Sequence, residues 1–302
     1  MNDIVERLKE ANVGKVWLNE PLKNHTTWKI GGPADILIQP KNKTGLITAV
    51  NILKAQGMPY RVIGRGSNLL VRDGGIRGAV IKVGEGLDYL RIEGEKVTAG
   101  AGFSFIKLAT IIAKQGLSGL EFAGGIPGTV GGAVYMNAGA HGSDVSRVLH
   151  SAQILFDDGE LATLSNEELK FSYRTSILQN ERKGICLEAT FKLKKGDREQ
   201  ILKTMAQNKD YRKQTQPLQQ PCCGSVFRNP KPYSAGRLIE EAGLKGFRIG
   251  DAQISTKHAN FIVNLGNATA KDVLALIKHI QHTIAEKYGV EMHPEVEVVG
   301  EE

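Results

Sequence analysis

Residues 124–139 carry the strongest chemical signal in this chain of 302 residues, because six of these sixteen positions are glycine. Glycine adopts positive φ readily and lets backbone N–H groups approach a ligand closely. Consecutive N–H groups in such turns form concavities that hold phosphate oxygens. Tight turns and close strand packing are the purely structural interpretation. The density of glycine, with Pro127 and Asn137 among them, favours a cradle for a diphosphate.

A second glycine segment, residues 64–70, follows a predicted strand at residues 61–63. Gly66, Ser67 and Asn68 could donate hydrogen bonds to a second part of the same ligand. The segment lacks the third glycine and the long helix of the classical dinucleotide-binding βαβ fingerprint. Gly100-Ala-Gly102 fails the same test. If a dinucleotide binds, an architecture other than the classical one holds it.

Three polar residues could carry chemistry, although spacing alone selects none of them. Ser225 follows a glycine in Cys-Gly-Ser-Val-Phe-Arg-Asn-Pro, where a turn residue is the plain interpretation. No GxSxG motif surrounds it, so hydrolase chemistry is not indicated. Arg174, in Phe-Ser-Tyr-Arg-Thr-Ser, has the plain interpretation of a surface or ion-pair residue. Glu295 lies on the polar face of a predicted closing strand, where solvent exposure is the plain interpretation.

Charge and composition limit the partners. The net charge is +7, but lysine and arginine are interspersed with acidic residues and form no basic run with aromatics. This pattern speaks against nucleic acid and favours a phosphorylated small molecule. Three cysteines do not form a disulfide framework, and neither CxxC nor HExxH indicates a metal site. The charged N-terminus and the lack of long apolar runs predict a cytoplasmic protein without membrane partners.

The elements that must position these residues follow from hydrophobic periodicity and from cap and turn residues. Ser104 and the pair Thr269–Asp272 are predicted helix caps. Asp158-Gly159 predicts a hairpin turn, and residues 165–168 resemble a second capping box. Predicted helices cover residues 1–10, 44–56, 104–116, 196–213, 238–242 and 269–284. Predicted strands cover residues 34–39, 61–63, 80–83, 96–99, 185–193 (half-buried), 260–263 and 290–299. The Pro/Gln-rich residues 214–221 are the candidate domain boundary.

Seven segments in order resemble the UDP-N-acetylenolpyruvoylglucosamine reductase family. They cover residues 25–34, 66–70, 124–140, 173–174, 224–230, 243–246 and 293–295, so the resemblance spans nearly the whole chain. It implies an α+β fold with a two-part FAD-binding region of the vanillyl-alcohol-oxidase type, residues 1–84 and 85–195, followed by an α+β substrate-binding domain, residues 196–302. The short distance from Asn229 to Gly243 is typical of the shorter family branch, common in Gram-positive bacteria.

The resemblance also implies the ligands: non-covalent FAD, NADPH as co-substrate and UDP-N-acetylglucosamine enolpyruvate as substrate, in a protein expected to be a monomer. It implies that Tyr173, Asn229 and Lys245 bind substrate; Arg212 and Lys213 match a diphosphate-binding role less well. The implied cofactor-binding residues are Gly64, Arg65, Gly66, Ser67, Asn68, Leu69, Gly124, Gly125, Ile126, Pro127, Gly128, Thr129, Gly131, Gly132, Asn137, Ala138 and Gly139.

Catalytic roles implied by the resemblance fall on Ser225, Arg174 and Glu295. Ser225 matches the family's proton donor, and Arg174 stabilises the charge that builds on the substrate carboxylate. Glu295 would assist either as a protonated acid or by orienting Arg174. Two departures are Arg65, which replaces a frequent glycine, and the pair Cys222-Cys223 before Gly224.

Two alternative functions are also compatible with the sequence. One is an FAD-dependent oxidase of the same fold that acts on another small molecule. The other is a non-catalytic module that binds a UDP-sugar.

Overall fold

The computed structural model describes all 302 residues. None of its helices is both long and apolar enough to cross a membrane. The helices are Asn2–Glu10 (α1), Lys43–Ala55 (α2), Phe105–Lys114 (α3), Val130–Met136 (α4), Ile177–Asn180 (α5), Arg198–Thr215 (α6), Ala235–Glu241 (α7) and Ala270–Tyr288 (α8).

Eighteen strands form one four-stranded, one five-stranded, one three-stranded and three two-stranded sheets. The strands are Gly14–Pro21 (β1), Pro33–Pro40 (β2), Tyr60–Ile63 (β3), Leu69–Val71 (β4), Ile76–Lys82 (β5), Leu90–Glu93 (β6), Lys96–Gly100 (β7), Leu117–Ser118 (β8), Gly139–Ala140 (β9), Ser143–Asp144 (β10), Leu149–Phe156 (β11), Leu161–Ser165 (β12), Gly184–Lys192 (β13), Lys194–Lys195 (β14), Arg248–Ile249 (β15), Ala252–Ile254 (β16), Ile262–Asn264 (β17) and Glu297–Val299 (β18). The sheet orders are β1-β2-β5-β3, β12-β11-β13-β7-β6, β15-β16-β17, β10-β9, β14-β8 and β18-β4.

The chain folds into two compact units, each built from discontinuous segments. Unit 1 comprises Met1–Trp17, Ile36–Arg65 and Ala79–Tyr211. Unit 2 comprises Leu18–Asp35, Gly66–Gly78 and Arg212–Glu302. Each unit buries its own hydrophobic cluster. The division at residues 84 and 195 stays a prediction about domain boundaries in chain order.

Unit 1 contains the five-stranded antiparallel sheet, whose middle strand is β13. Helix α4 packs on β13 and is thereby held against the sheet. Helix α3 begins where Ser104 Oγ accepts a hydrogen bond from Lys107 N–H at 3.3 Å. It buries Phe105, Leu108 and Ile112. The sheet and α3 together support the glycine-rich residues 124–139, which run from the end of the α3 region into α4 and beyond.

Unit 2 is organised by α8 and by the small sheet β15-β16-β17. Helix α8 starts with a reciprocal capping box between Thr269 and Asp272 and ends at Gly289, where φ is +64°. The carboxylate of Asp73 accepts hydrogen bonds from two N–H groups in the first turn of α8, at 2.9 and 3.0 Å. A negative group at a helix N-terminus stabilises the helix. Strand β18 pairs in parallel with β4, with Glu297 opposite Leu69.

Most predicted elements are confirmed, including the hairpin turn at Asp158-Gly159, the polar helix α6 and the capped helix α8. The capping box predicted at residues 165–168 forms, although a turn and not a helix follows it. Both capping-box hydrogen bonds between Ser165 and Glu168 form. Lys170 then adopts a left-handed φ of +45°, and the turn that follows Ser165 ends there.

Two strand predictions need correction. The closing strand is shorter than predicted and covers only Glu297–Val299. Pro294, which has no N–H to donate, interrupts a regular ladder upstream of it. Strand β13 is also more buried than a half-buried strand, since Cys186 and Thr190 are buried on the predicted polar face. Glu188 on that face accepts a hydrogen bond from the hydroxyl of Tyr89, so neighbouring polar groups cover it.

Candidate active site

The glycine-rich residues 124–139 of unit 1 begin in a 3-10 turn, continue through a loop and the whole of α4, and end at β9. The loop passes through Gly128 at a φ of +124°, a conformation that side-chain-bearing residues rarely adopt. Thr129 then caps α4, its Oγ1 accepting from Gly132 N–H at 3.3 Å. Gly131 lies against Ala101, and a Cβ on it would be 2.9 Å from the Ala101 Cβ. The glycines therefore allow a sharp turn and close backbone packing at the predicted cradle.

Gly64, at the end of β3, lies against this cradle. A Cβ at Gly64 would sit 2.6 Å from Thr129 Oγ1, a separation that real Cβ atoms essentially never show. Thr129 is itself 4% exposed. Unit 1 thus brings together two of the segments that the sequence predicts for cofactor binding, and only glycine fits at the contact.

Arg174 sits in a tight turn of unit 1 at a left-handed φ of +56°. Its Nη2 donates to the carbonyl oxygen of Gly139 at 2.8 Å, and its guanidinium lies 4.8 Å from the ring centroid of Tyr173. Asn137 holds this turn: Nδ2 donates to the Ser172 carbonyl, while Oδ1 accepts from Ser146 N–H, both at 2.9 Å. The end of the glycine-rich segment therefore positions Arg174, and the Asn137 side chain is engaged with backbone.

In unit 2 the loop after Arg65 meets the segment that carries Glu295. Gly66 has a φ of +63°, and a Cβ on it would lie 2.6 Å from the carbonyl oxygen of His25. Asn68 Nδ2 donates to the carbonyl oxygen of Glu295 at 3.1 Å, and Glu297 N–H donates to that of Asn68 at 3.0 Å. A predicted cofactor-binding residue thus holds the backbone of a predicted catalytic one.

Ser225 and Glu295 are neighbours through backbone hydrogen bonds. Glu295 N–H donates to the carbonyl oxygen of Val226 at 2.7 Å, one residue beyond Ser225. Gly224, just before the serine, has a φ of +80° and open space where a Cβ would be. Ser225 is partly exposed. Two of the three predicted catalytic residues are therefore held in register within unit 2, whereas Arg174 belongs to unit 1.

The predicted substrate residues of unit 2 have protein partners. Asn229 Oδ1 accepts from Ala235 N–H at 2.9 Å, at the start of α7. Lys245 Nζ lies 2.9 Å from Glu240 Oε1. Burial, reinforced by the Lys245 charge, lowers the pKa of His258 below its ordinary value. Lys245 is therefore part of a local charge cluster that partly offsets its own charge.

Arg212 differs from Lys245, because its Nε is buried without a hydrogen-bond partner. The Oε1 of Gln216, four residues on, is in the same state. Burial lowers the pKa of Arg212 from its ordinary value. Unsatisfied buried polar groups are costly and are often completed by a ligand or by water. The unpartnered Nε makes Arg212 a candidate anion ligand in addition to Lys245.

The cysteine pair beside Ser225 is shielded by burial, completely at Cys223 and partly at Cys222. Burial raises the pKa of Cys223 well above its ordinary value and also raises that of Cys222. A thiol kept protonated is a poor nucleophile. Neither thiol is therefore expected to act as a nucleophile beside Ser225.

Two family models match the chain. An FAD-binding domain matches residues 34–165, and the C-terminal domain of UDP-N-acetylenolpyruvoylglucosamine reductase matches residues 216–299. A reductase of this name from Bacillus licheniformis is 62% identical over 301 residues, which cover 100% of this chain and 99% of the relative. The Bacillus subtilis relative of the same name is 59% identical over 300 residues, 99% of each chain. The chain belongs to the UDP-N-acetylenolpyruvoylglucosamine reductase family.

Solved structures agree with this family and with the predicted fold class. The UDP-N-acetylenolpyruvylglucosamine reductase of Thermus caldophilus superposes with a TM-score of 0.80 at 42% identity, covering 95% of this chain and 98% of that one. A berberine bridge enzyme variant superposes with a TM-score of 0.53 at 12% identity, covering 65% and 44% of the two chains. The second likeness concerns the fold alone.

Within the reductase family, the two models divide the candidate residues. Gly64 and the whole of residues 124–139 lie in the FAD-binding match, whereas Ser225 and Glu295 lie in the C-terminal match. Arg174 falls between them. The contact between Gly64 and Thr129, which leaves no room for a Cβ, fits a cofactor cradle that needs backbone at close range.

Sequence reasoning did not single out Asn260, which lies beside the segment that carries Ser225. It is 4% exposed, and its side chain hydrogen-bonds the backbone of Phe227, two residues after Ser225. A polar residue at the start of the apolar run Asn-Phe-Ile-Val was the available signal, since a buried amide must find partners.

Proposed function

We propose that this chain reduces UDP-N-acetylglucosamine enolpyruvate to UDP-N-acetylmuramate with NADPH and non-covalently bound FAD, a step in making peptidoglycan precursors. The observation that carries the proposal is the 59–62% identity to reductases of that name over practically the full length of both chains. The same observation disfavours an oxidase or a non-catalytic UDP-sugar module.

The two glycine segments, residues 64–69 and 124–139, would hold FAD. Their support is the glycine density and the close approach of Gly64 to Thr129. Bound flavin supplies hydride chemistry that no side chain provides. The protein's task is then to position the substrate, to stabilise charge and to deliver a proton.

Saturating the enolpyruvyl double bond requires a hydride at the terminal carbon and a proton at the carbon that bears the ether oxygen and the carboxylate. We assign that proton to the Ser225 hydroxyl, which water then reprotonates. Negative charge builds on the carboxylate side, and Arg174 stabilises it. Glu295 acts beside Ser225, to which the Val226 hydrogen bond ties it.

For the diphosphate of the UDP group we assign Arg212 together with Lys245, while Tyr173 and Asn229 contact other parts of the substrate. Arg212 is supported by its unpartnered buried Nε, which a phosphate oxygen would satisfy. We further propose that the enzyme is a cytoplasmic monomer without nucleic-acid or membrane partners.

The first experiment follows NADPH absorbance in the purified holoenzyme with and without UDP-N-acetylglucosamine enolpyruvate under anaerobic conditions. NADPH should be consumed only with the enolpyruvyl substrate, in one-to-one ratio with UDP-N-acetylmuramate. Substrate-independent consumption, or turnover that requires oxygen, would refute the reductase assignment.

The second experiment separates the half-reactions by stopped-flow absorbance at the flavin band. Ser225→Ala should leave anaerobic flavin reduction by NADPH intact, because that step takes no proton from serine. Reoxidation by substrate should slow by roughly 10²–10⁴-fold, as expected for a lost general acid. Arg174→Ala and Glu295→Gln should act mainly on the same second step, where charge develops. Equal slowing of both steps by Ser225→Ala, or of neither, would remove serine as the proton donor.

A further inference from the structure

The backbone of residues 225–228 is held from both sides within unit 2. On one side Glu295 N–H donates to the Val226 carbonyl at 2.7 Å, and Arg228 N–H donates to that of His293 at 3.0 Å. On the other side Val226 N–H donates to the backbone carbonyl of Asn260 at 2.9 Å. The serine segment therefore lies between the Glu295 segment and Asn260.

The side chain of Asn260 completes this second contact. Its Oδ1 accepts from Phe227 N–H, and its Nδ2 donates to the Phe227 carbonyl oxygen, both at 2.9 Å. One amide thus satisfies both backbone groups of a residue that is 1% exposed, in a short segment outside the regular strands. Phe227 also forms an isolated β-bridge with Pro294, next to Glu295.

We infer that Asn260 is a positioning residue for reduction of the enolpyruvyl group: its amide fixes the serine segment against the Glu295 segment. The inference rests on the proposed roles of Ser225 and Glu295. A single amide that both accepts and donates sets the segment's position and rotation, which one hydrogen bond cannot do. Misplacing a catalytic group by about 1 Å can cost roughly 10²-fold in rate.

The chain offers a matched control in Asn264. It is also 4% exposed and lies in the same stretch of chain. Its side chain donates to the Trp28 carbonyl and accepts from Gly266 and Ala268 N–H, with none of these bonds on the serine segment. Asn264→Ser should therefore lower stability at least as much as Asn260→Ser without touching the proposed proton donor.

The test compares Asn260→Ser, Asn264→Ser and Ser225→Ala holoenzymes with matched flavin content. Asn260→Ser should slow substrate-driven flavin reoxidation by about 10²-fold, leaving flavin reduction by NADPH unchanged. Asn264→Ser should spare both steps. Hydrogen exchange at the Val226 and Phe227 amides, with and without flavin, should quicken only in Asn260→Ser.

A conservative variant gives an independent pH signature. In Asn260→Asp the ionised carboxylate cannot donate to the Phe227 carbonyl, whereas the protonated acid can. Burial raises the pKa of such a carboxyl, so the slowed second step should recover towards the wild-type rate as pH falls. Wild-type enzyme at each pH is the reference.

Each outcome supports or overturns the positioning role of Asn260. If Ser225→Ala slows reoxidation but Asn260→Ser does not, the positioning role is overturned while the proposed function stands. The same holds if Asn260→Ser slows both steps equally, or if Asn264→Ser slows reoxidation as much as Asn260→Ser does. If Ser225→Ala leaves reoxidation unchanged, the proton-donor assignment fails and the positioning role fails with it. Reoxidation in Asn260→Asp that stays slow at every pH would also overturn it.

Discussion

Replacing Gly64 by alanine tests the predicted cofactor cradle at its tightest contact. The new Cβ would lie 2.6 Å from Thr129 Oγ1 and 3.3 Å from Thr129 Cγ2. The Thr129 side chain cannot easily rotate away from the new Cβ, because it is buried, β-branched and held by the hydrogen bond from Gly132 N–H. The two segments must separate, at a cost of about 1–3 kcal/mol for overpacking.

That cost should appear in flavin affinity. The free protein can relax by moving the loops apart, whereas the FAD-bound form needs both in place. If the whole cost falls on the bound state, the Kd for FAD rises about 5- to 150-fold. Titration of apoprotein with FAD, followed by quenching of flavin fluorescence, measures the change directly.

Thr129→Ala provides the internal check. It removes both atoms closer than 3.5 Å and leaves only Thr129 Cβ, at 3.5 Å, which is an ordinary contact. It also removes the helix cap, which costs about 0.5–2 kcal/mol. In this background Gly64→Ala should have almost no further effect on the Kd. A full penalty in the double variant, or an unchanged Kd in Gly64→Ala alone, would refute the reasoning.

Three further predictions concern flavin, substrate and pH. Gly128→Val should lose flavin, because φ is +124° there; acid precipitation should release all wild-type flavin, and full flavin in the variant would contradict the cradle. Lys245→Ala should raise the substrate KM more than it lowers kcat, and a KM equal to that of the wild type would exclude Lys245 as a ligand. The wild-type KM should also rise with ionic strength, since the screening length shortens to about 8 Å near physiological salt. The lowered pKa of His258 means that the unfolded state binds more protons in acid. The free energy of unfolding, from urea titrations, should therefore fall as pH drops below about 6.5, and His258→Gln should reduce that slope; an unchanged slope would contradict it.

The sequence predicts those parts of the fold that depend on local patterns. Capped amphipathic helices such as α8 carry their periodicity and their cap residues in one stretch, so their existence and near bounds follow directly. Residues 165–168 show the limit. The predicted capping box forms there, yet the chain turns away at the left-handed Lys170 without forming a helix, and no cap pattern encodes that turn.

The candidate site depends on contacts between distant segments, which local patterns do not contain. Composition alone identifies the glycine segments, but the closeness of Gly64 to Thr129 follows only from packing. In the sequence, Asn260 resembles any polar residue at the start of a strand. Only the structure shows that its side-chain amide hydrogen-bonds both backbone groups of Phe227. The pairing of Lys245 with Glu240 and the unpartnered Nε of Arg212 likewise become visible only in the folded chain.

The interleaving of the two units has a consequence for the order in which the chain can fold during synthesis. Unit 2 needs Leu18–Asp35 and Gly66–Gly78, yet its remaining residues begin only at Arg212. Strand β4 gains its partner β18 only after more than two hundred further residues have been translated. Until then β4 has an open edge that can pair with other chains. A nascent chain that stalls anywhere between Val71 and Glu297 would therefore expose that edge, and a chaperone that covers it would prevent such pairing.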